Sequence, residues 1–289
     1  DNQTLVAGTQ TMLSDSCSGG NISGAIKDAV TGNALSDVSI SVRNGLNIRT
    51  GSTISGKTDT TDSNGAYTLS SMDAGSYTIQ GSKDNWISTY FNVRSCSGRP
   101  NKNSNMSEEL AEGSMRIVLS WEGTEDFDSH LEIPCTSGTC SGSNAADKSH
   151  LWYGVNQSAA VTYTGVSTND YHLYTDIVST GDYVTLDQDN TNGSGTASRT
   201  GPETITISRI RSGTYRYHVH NYDDSGDNTS TLAASGASVA VYYNDATTTF
   251  NVRNTAGDLW TVFDFDNSSG ITAIDTMGSE ANPGNVDNH

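Results

Sequence analysis

Short runs in which apolar and polar residues alternate dominate the chain. Val38-Ser39-Ile40-Ser41-Val42, Ala66-Tyr67-Thr68-Leu69 and Tyr77-Thr78-Ile79 keep a period of two, and Gly, Asn, Asp and Ser punctuate the stretches between them. Successive strand residues point to opposite faces, so the pattern predicts β-strands with one buried face. The longest runs come late: Met115 to Leu119, Thr214 to His220 and Val239 to Tyr243. Helix signals are nearly absent, and Ser107-Glu108-Glu109-Leu110-Ala111-Glu112 is the one helix-like stretch, a turn or two in a linker. The predicted fold class is all-β: two tandem β-sandwich domains with polar terminal arms. A polar arm occupies residues 1–16, and a first β-domain of sandwich size occupies 17–97. A Ser/Asn/Lys linker with Pro100 follows at 98–113, then a larger β-domain at 114–266 and a polar tail at 267–289. The tail's Gly, Asn and Ser content predicts disorder.

The length of 289 residues allows each domain its own core. There are 33 acidic residues against 15 basic ones, a net charge of −18. Phosphate binding needs clustered Lys and Arg, so nucleic acid and anionic membrane surfaces are excluded as partners. No run of roughly 18 apolar residues is present to span a bilayer. The chain begins at Asp1 and shows no signal peptide, which predicts a leader already removed. Four cysteines fit two disulfides, one closing the short Cys135 to Cys140 loop and one joining Cys17 to Cys96 across the first domain. Zinc is the rival reading, but paired Cys-x-x-Cys knuckles are missing. Disulfides in turn predict an oxidising, extracellular or cell-surface location.

Two Asp-x-Asp pairs carry the candidate chemistry. One is Asp126-Phe127-Asp128, continuing to Ser129-His130-Leu131. The other is Asp187-Gln188-Asp189, followed by Gly201-Pro202-Glu203-Thr204. On a strand the carboxylates of each pair share a face, and their repulsion would be relieved by a cation. Asp126, Asp128, Asp187, Asp189 and Glu203 are thus candidate calcium ligands. His130, His150 and His220 with Asp128 form an alternative transition-metal set. Asp near turns also caps backbone amides, and His-x-His on a strand also occurs on solvated faces, so a site without metal stays open. Alternation in Asp126 to Leu131 predicts an outer strand with one polar and one apolar face. The chain has no Gly-x-Ser-x-Gly elbow, no P-loop and no His-Glu-x-x-His. Sequons occur at Asn2, Asn21, Asn105, Asn156, Asn192, Asn228 and Asn267.

Ile22 to Leu35, Val38 to Ile40, Thr61-Asp62-Ser63-Asn64-Gly65-Ala66-Tyr67 and Met72-Asp73-Ala74-Gly75-Ser76-Tyr77 follow one another in order. Over residues 20–95 this resembles the carboxypeptidase regulatory-like domains. The resemblance implies a transthyretin-like sandwich of seven strands without catalytic residues, with Tyr67 and Tyr77 facing inward or lining its edge. Related pilin-type modules carry Lys–Asn isopeptide bonds; Lys27 is the candidate lysine, and no convincing Glu accompanies it. Asp128-Ser129-His130-Leu131, Leu186-Asp187-Gln188-Asp189 and Gly201-Pro202-Glu203-Thr204 resemble the YfaP-like family of secreted bacterial β-domains over residues 114–265. The Cys135–Cys140 loop and the insert from Asn190 to Thr200 depart from that family. The resemblance implies a fold and a location rather than an activity.

The reading that follows is a secreted, non-enzymatic structural or adhesive protein, the repeating subunit of an extracellular fibre or surface assembly. Its partners are copies of itself, with Thr4 to Met12 adding as a strand to a neighbour's sheet edge. One alternative is a monomeric module that stacks Trp86, Trp152 and Tyr residues on surface glycans. A second is a metal-dependent hydrolase, which requires the His and Asp sets to meet around one cleft. Ca2+ is the expected cofactor if a metal binds.

Overall fold

The computed structural model describes residues 18–96, 101–121, 125–134, 148–154, 171–173, 184–190 and 202–289. By their contacts they fall into two compact units, the first ending at Met106 and the second running from Ser107 to His289, with 28–33 grouped with the second. The N-terminal arm with Thr4 to Met12, Cys17, Cys135, Cys140, Gly201 and most of the Asn190 to Thr200 insert lie outside the described residues. Cys96 is disulfide-bonded.

The first unit contains β1 (Gly20–Asp28), β2 (Ser39–Asn44), β3 (Thr58–Thr60), β4 (Ala66–Met72), β5 (Gly75–Ser82), β6 (Trp86–Ile87), β7 (Thr89–Ser95) and β8 (Ser104–Glu108). They form two four-stranded sheets, in the orders β4-β1-β8-β6 and β3-β2-β5-β7. The inward alternates of both sheets, among them Ile22, Ile26, Ile40, Val42, Leu69 and Ile79, make one core. Tyr67 and Tyr77 are buried within it and still place their hydroxyls, on the carbonyls of Lys102 at 2.7 Å and Asp73 at 2.9 Å. Between β3 and β4 the Asp62 carboxylate accepts from the amides of Asn64 and Ala66, and Gly65 supplies the left-handed φ of +70° that closes the turn.

The stretch read as a linker is where the structure departs from the sequence. Ser104–Glu108 is strand β8, and the helix expected at Ser107 to Glu112 is absent. A single helical turn is unfavourable to nucleate, whereas pairing here places Met106 fully in the core. The preceding residues lie tight against β1: the Lys102 amide donates to the Ser23 carbonyl at 2.8 Å, and the Asn103 side chain accepts from the Ala25 amide at 2.9 Å. Only glycine fits at position 24, because a Cβ there would lie 1.8 Å from the Lys102 oxygen. The unit has eight described strands where the family resemblance implies seven.

The second unit holds β9 (Met115–Ser120), β10 (Phe127–Pro134), β11 (Lys148–Leu151), β12 (Tyr171–Leu173), β13 (Val184–Gln188) and β14 (Glu203–Ile207). It continues with β15 (Thr214–Asn221), helix α1 (Thr231–Ala234), β16 (Ser238–Tyr243), β17 (Ala246–Asn251), β18 (Leu259–Asp266) and β19 (Gly270–Gly278). A five-stranded sheet runs β11-β10-β15-β18-β19 and a six-stranded sheet runs β12-β13-β14-β9-β16-β17. Both supply one apolar core, with Leu131, Val219, Trp260 and Phe263 from the first sheet and Ile117, Ile205, Val239 and Val241 from the second.

The residues read as a disordered tail are structured. Asp266 turns the chain by accepting from the Ser268 amide at 2.8 Å, Gly270 takes φ +78°, and β19 then pairs with β18 from Asp266↔Gly270 to Leu259↔Gly278. A 3₁₀ turn at Pro283–Asn288 follows, capped by Asn282, and Val286 within it has no exposed surface. Turn residues that resemble disorder by composition here form the bend of a hairpin.

Candidate metal centre

Alternation along β10 splits it into two faces. Phe127, Leu131 and Ile133 enter the core, while Asp128, His130 and Glu132 point the other way. The sequence implies a solvated outer face, but it is buried: Asp128 is 3% exposed and His130 not at all. Antiparallel register places Asp128 opposite His220, and His130 opposite His218. On the other flank Glu132 lies opposite His150.

The histidines are held by specific partners. His130 Nδ1 lies 2.9 Å from His150 Nε2, and His150 Nδ1 faces Asp287 Oδ1 at 3.8 Å. Trp152 stacks on both rings, with centroid distances of 5.8 Å to His130 and 5.7 Å to His150. His220 Nε2 lies 2.8 Å from the Glu280 carbonyl and 3.6 Å from Asp258. His218 sits between Thr261 and Glu132, at 3.0 and 3.1 Å. Glu132 also takes the Lys148 ammonium. Burial alone would raise Glu132, but His218 and Lys148 bring it below its ordinary value.

At the rim of the sandwich a carboxylate group meets this row. One ligand atom each from Asp128, Asp189 and Glu203 lies within 4.8 Å of the others, and the same holds for Asp128, His130 and His220. Asp128 therefore belongs to two ligand sets. Glu203 reaches across from β14 to accept from the Ser129 amide at 2.6 Å and the Asn190 amide at 3.4 Å. Burial raises Asp128 well above the usual carboxylate range, and the charges of Glu203, Asp126, Asp189 and Asp223 add to it. Burial and then Asp189 raise Glu203 in the same way. Burial drives His130 far down, with His150, His220 and His218 assisting, and takes His150 to about 3. In every case the charged form is penalised, a state that a bound divalent cation reverses for the carboxylates.

The sequence-derived ligands do not all converge. Asp128, Asp189, Glu203, His130 and His220 do. Asp187 does not join either set, since its two oxygens accept from the hydroxyls of Thr185 and Thr206. The register between β13 and β14 shifts between Leu186 and Gln188, and Asp189 lies past the end of the strand, so the i, i+2 rule fails there. Asp126 acts on Asp128 through charge, and its backbone is fixed by Asp223 and Tyr222. Asp258, Glu280 and Asp287 support the histidines and were not singled out in sequence; two of them lie in the stretch that reads as a tail. Of the aromatics expected to stack on sugars, Trp86 packs against the first unit's core and Trp152 covers His130 and His150.

Residues 21–102 match the family model of the carboxypeptidase regulatory-like domain, less than half of the chain. No curated protein matches as a relative. Among solved structures, the major pilin SpaD from Corynebacterium diphtheriae is similar at 12% identity over 90% of this chain and 88% of the pilin, with a TM-score of 0.26. The major pilin subunit BcpA of Bacillus cereus is similar at 12% identity over 91% and 96%, with a TM-score of 0.25. A chain of a type II cohesin–X-dockerin complex from Acetivibrio cellulolyticus shares 21% identity over 31% of this chain, with a TM-score of 0.19. This chain spans 53% of that one's length. Overlaps this loose fix neither an assembly nor a ligand.

Proposed function

We propose that the protein is a non-enzymatic structural or adhesive subunit of the cell exterior, whose second unit is held together by one enclosed divalent cation. The observation that carries this reading is enclosure. Asp128, His130, His220 and Glu203 are each at most 3% exposed, so their ligand atoms converge where a substrate has no room. A catalytic metal keeps an open coordination position, while a structural one is closed in by its protein. The His and Asp sets do meet, as a hydrolase needs, but among the described residues Asp128, His130, His220 and Glu203 are closed off from solvent. The second unit is further read as a YfaP-like domain on its residue pattern.

Self-association is supported by the sheet edges. β17 and β19 each pair with one described strand only, leaving an outer edge on which a second copy's strand can add. Strand donation from residues 1–14 is the mechanism favoured by the sequence. Electron microscopy of native secreted material tests the assembly: fibres or a lattice support it, and dispersed monomers refute it. Deleting residues 1–14 should leave folded, unassembled protein; fibres that persist would exclude the arm. Thermal melting with excess chelator tests the cation, and an unchanged midpoint counts against it.

A further inference from the structure

We propose that the cation site is a transition-metal site of the zinc class, built from Asp128, His130 and His220. The inference rests on the structural-cation reading and names the ligand class. Of the eight buried side-chain atoms with no hydrogen-bond partner among the described residues, three fall in this one set: Asp128 Oδ2, His130 Nε2 and His220 Nδ1. They belong to the three residues whose ligand atoms gather within 4.8 Å. Burying a polar atom without a partner is costly, and three of them on residues that gather this closely point to a missing common partner.

The hydrogen bonds on the far sides of the rings select the tautomers. The Glu280 carbonyl only accepts, so His220 must donate from Nε2, which leaves a lone pair on Nδ1. Between His130 and His150 one proton is shared. The Asp287 carboxylate faces His150 Nδ1 and favours a proton there, so His150 Nε2 accepts and His130 Nδ1 donates. His130 Nε2 is then bare as well. Both imidazoles present lone pairs beside a carboxylate oxygen, and each is oriented by a partner on its other nitrogen. This is the usual supporting arrangement around a metal-bound histidine.

The chemistry of the set separates the cations. Imidazole nitrogen suits zinc, copper, nickel or iron, whereas calcium takes six to eight oxygens. The neighbouring acidic group is poorer than its charge implies, because both Glu203 oxygens already accept backbone amides. A proton alone does not serve, since one on Asp128 Oδ2 can be donated to one imidazole lone pair and leaves the other buried nitrogen without a partner. The register supplies the geometry: Asp128 and His220 are a cross-strand pair, and His130 follows two residues along on the same face.

Cobalt(II) tests the site directly, as a coloured stand-in for zinc. Full-length protein is stripped with chelator and titrated with Co2+ under visible spectroscopy, and with Zn2+ and Ca2+ by calorimetry. One Co2+ per chain with ligand-field bands, displaced by Zn2+, is expected. His130→Gln and His220→Gln should each weaken Zn2+ by at least about tenfold, while Asp245→Asn, at an exposed turn of the same unit, leaves it unchanged. Wild-type protein without bands or Zn2+ heat overturns the proposal, whatever happens to the folding of the variants. Ca2+ binding that survives both histidine changes and is lost in Asp189→Asn overturns the zinc assignment yet keeps the structural cation. Absence of binding by any of the three cations overturns both, and the three atoms would then share a water.

Discussion

Replacing Val286 by Ala tests whether the C-terminal segment belongs to the second unit or is an appended arm. Val286 has no exposed surface, so the substitution deletes two fully buried methyl groups. At about 0.8 kcal/mol per buried carbon the transfer loss is about 1.6 kcal/mol. A residual cavity of roughly 50 Å3, at about 24 cal/mol per Å3, adds about 1.2 kcal/mol if the surroundings stay in place. The 3₁₀ turn can collapse in part, so a loss of about 2 kcal/mol is expected. In a unit of this size that lowers Tm by about 4–8 °C. Calorimetry in excess chelator reads the second unit's transition free of any cation, and Trp121 and Trp260 fluorescence assigns the transition to that unit. Asn288→Ala, at an exposed position of the same turn, is the control. A Val286→Ala midpoint within about 1 °C of this control would show that the segment does not pack, and the closed roof over His150 would fall with it.

Three more changes probe other parts of the argument. Ser129 and Tyr217 share a buried hydroxyl–hydroxyl bond of 2.7 Å. Urea unfolding should therefore show Tyr217→Phe and Ser129→Ala each costing about 1–3 kcal/mol, and the double variant costing less than their sum; simple additivity would mean the bond contributes nothing. Gly24→Ala drives a methyl group into the Lys102 carbonyl and should destabilise the first unit by about 1–3 kcal/mol, leaving the second transition in place. An unchanged first transition would contradict the close approach of residues 101–103 to β1. Asp62 is held below its ordinary value by the Ala66 and Asn64 amides. Its contribution is present above its unfolded pKa and fades as pH falls through the lower folded one. Asp62→Asn should flatten the acid limb of the first unit's stability profile, and parallel profiles would refute the turn's role.

The strands were legible because a period of two needs no partner to be read. Ser39 to Val42, Ala66 to Leu69 and Val239 to Tyr243 each fall within observed strands, and Val38 immediately precedes the first of them. Registers were not legible, because they depend on which strands meet. Nothing near Asp128 in sequence indicates that His220 lies opposite it, 92 positions away. The Asp187 and Asp189 pair misled for a local reason: a register shift and a strand end separate two side chains that unbroken alternation would align. Composition misled in the stretch read as a linker, where Ser104–Glu108 became a strand of the first unit, and in the stretch read as a tail, where Gly270–Gly278 became an edge strand of the second.

The tail and the metal centre are one problem read twice. Asp128, His130 and Glu132 alternate with core residues, which on an outer strand means a solvated row, and polar atoms in water need no partner. The C-terminal segment changes their situation. Once Glu280 and Asp287 reach His220 and His150, and Val286 is buried with them, the row leaves water and every atom on it requires an answer. Glu132 finds His218 and Lys148, and His218 finds Thr261. Asp128 Oδ2, His130 Nε2 and His220 Nδ1 find none among the described residues. The residues that read as a loose appendage are thus the ones that turn an ordinary polar face into a site asking for a cation.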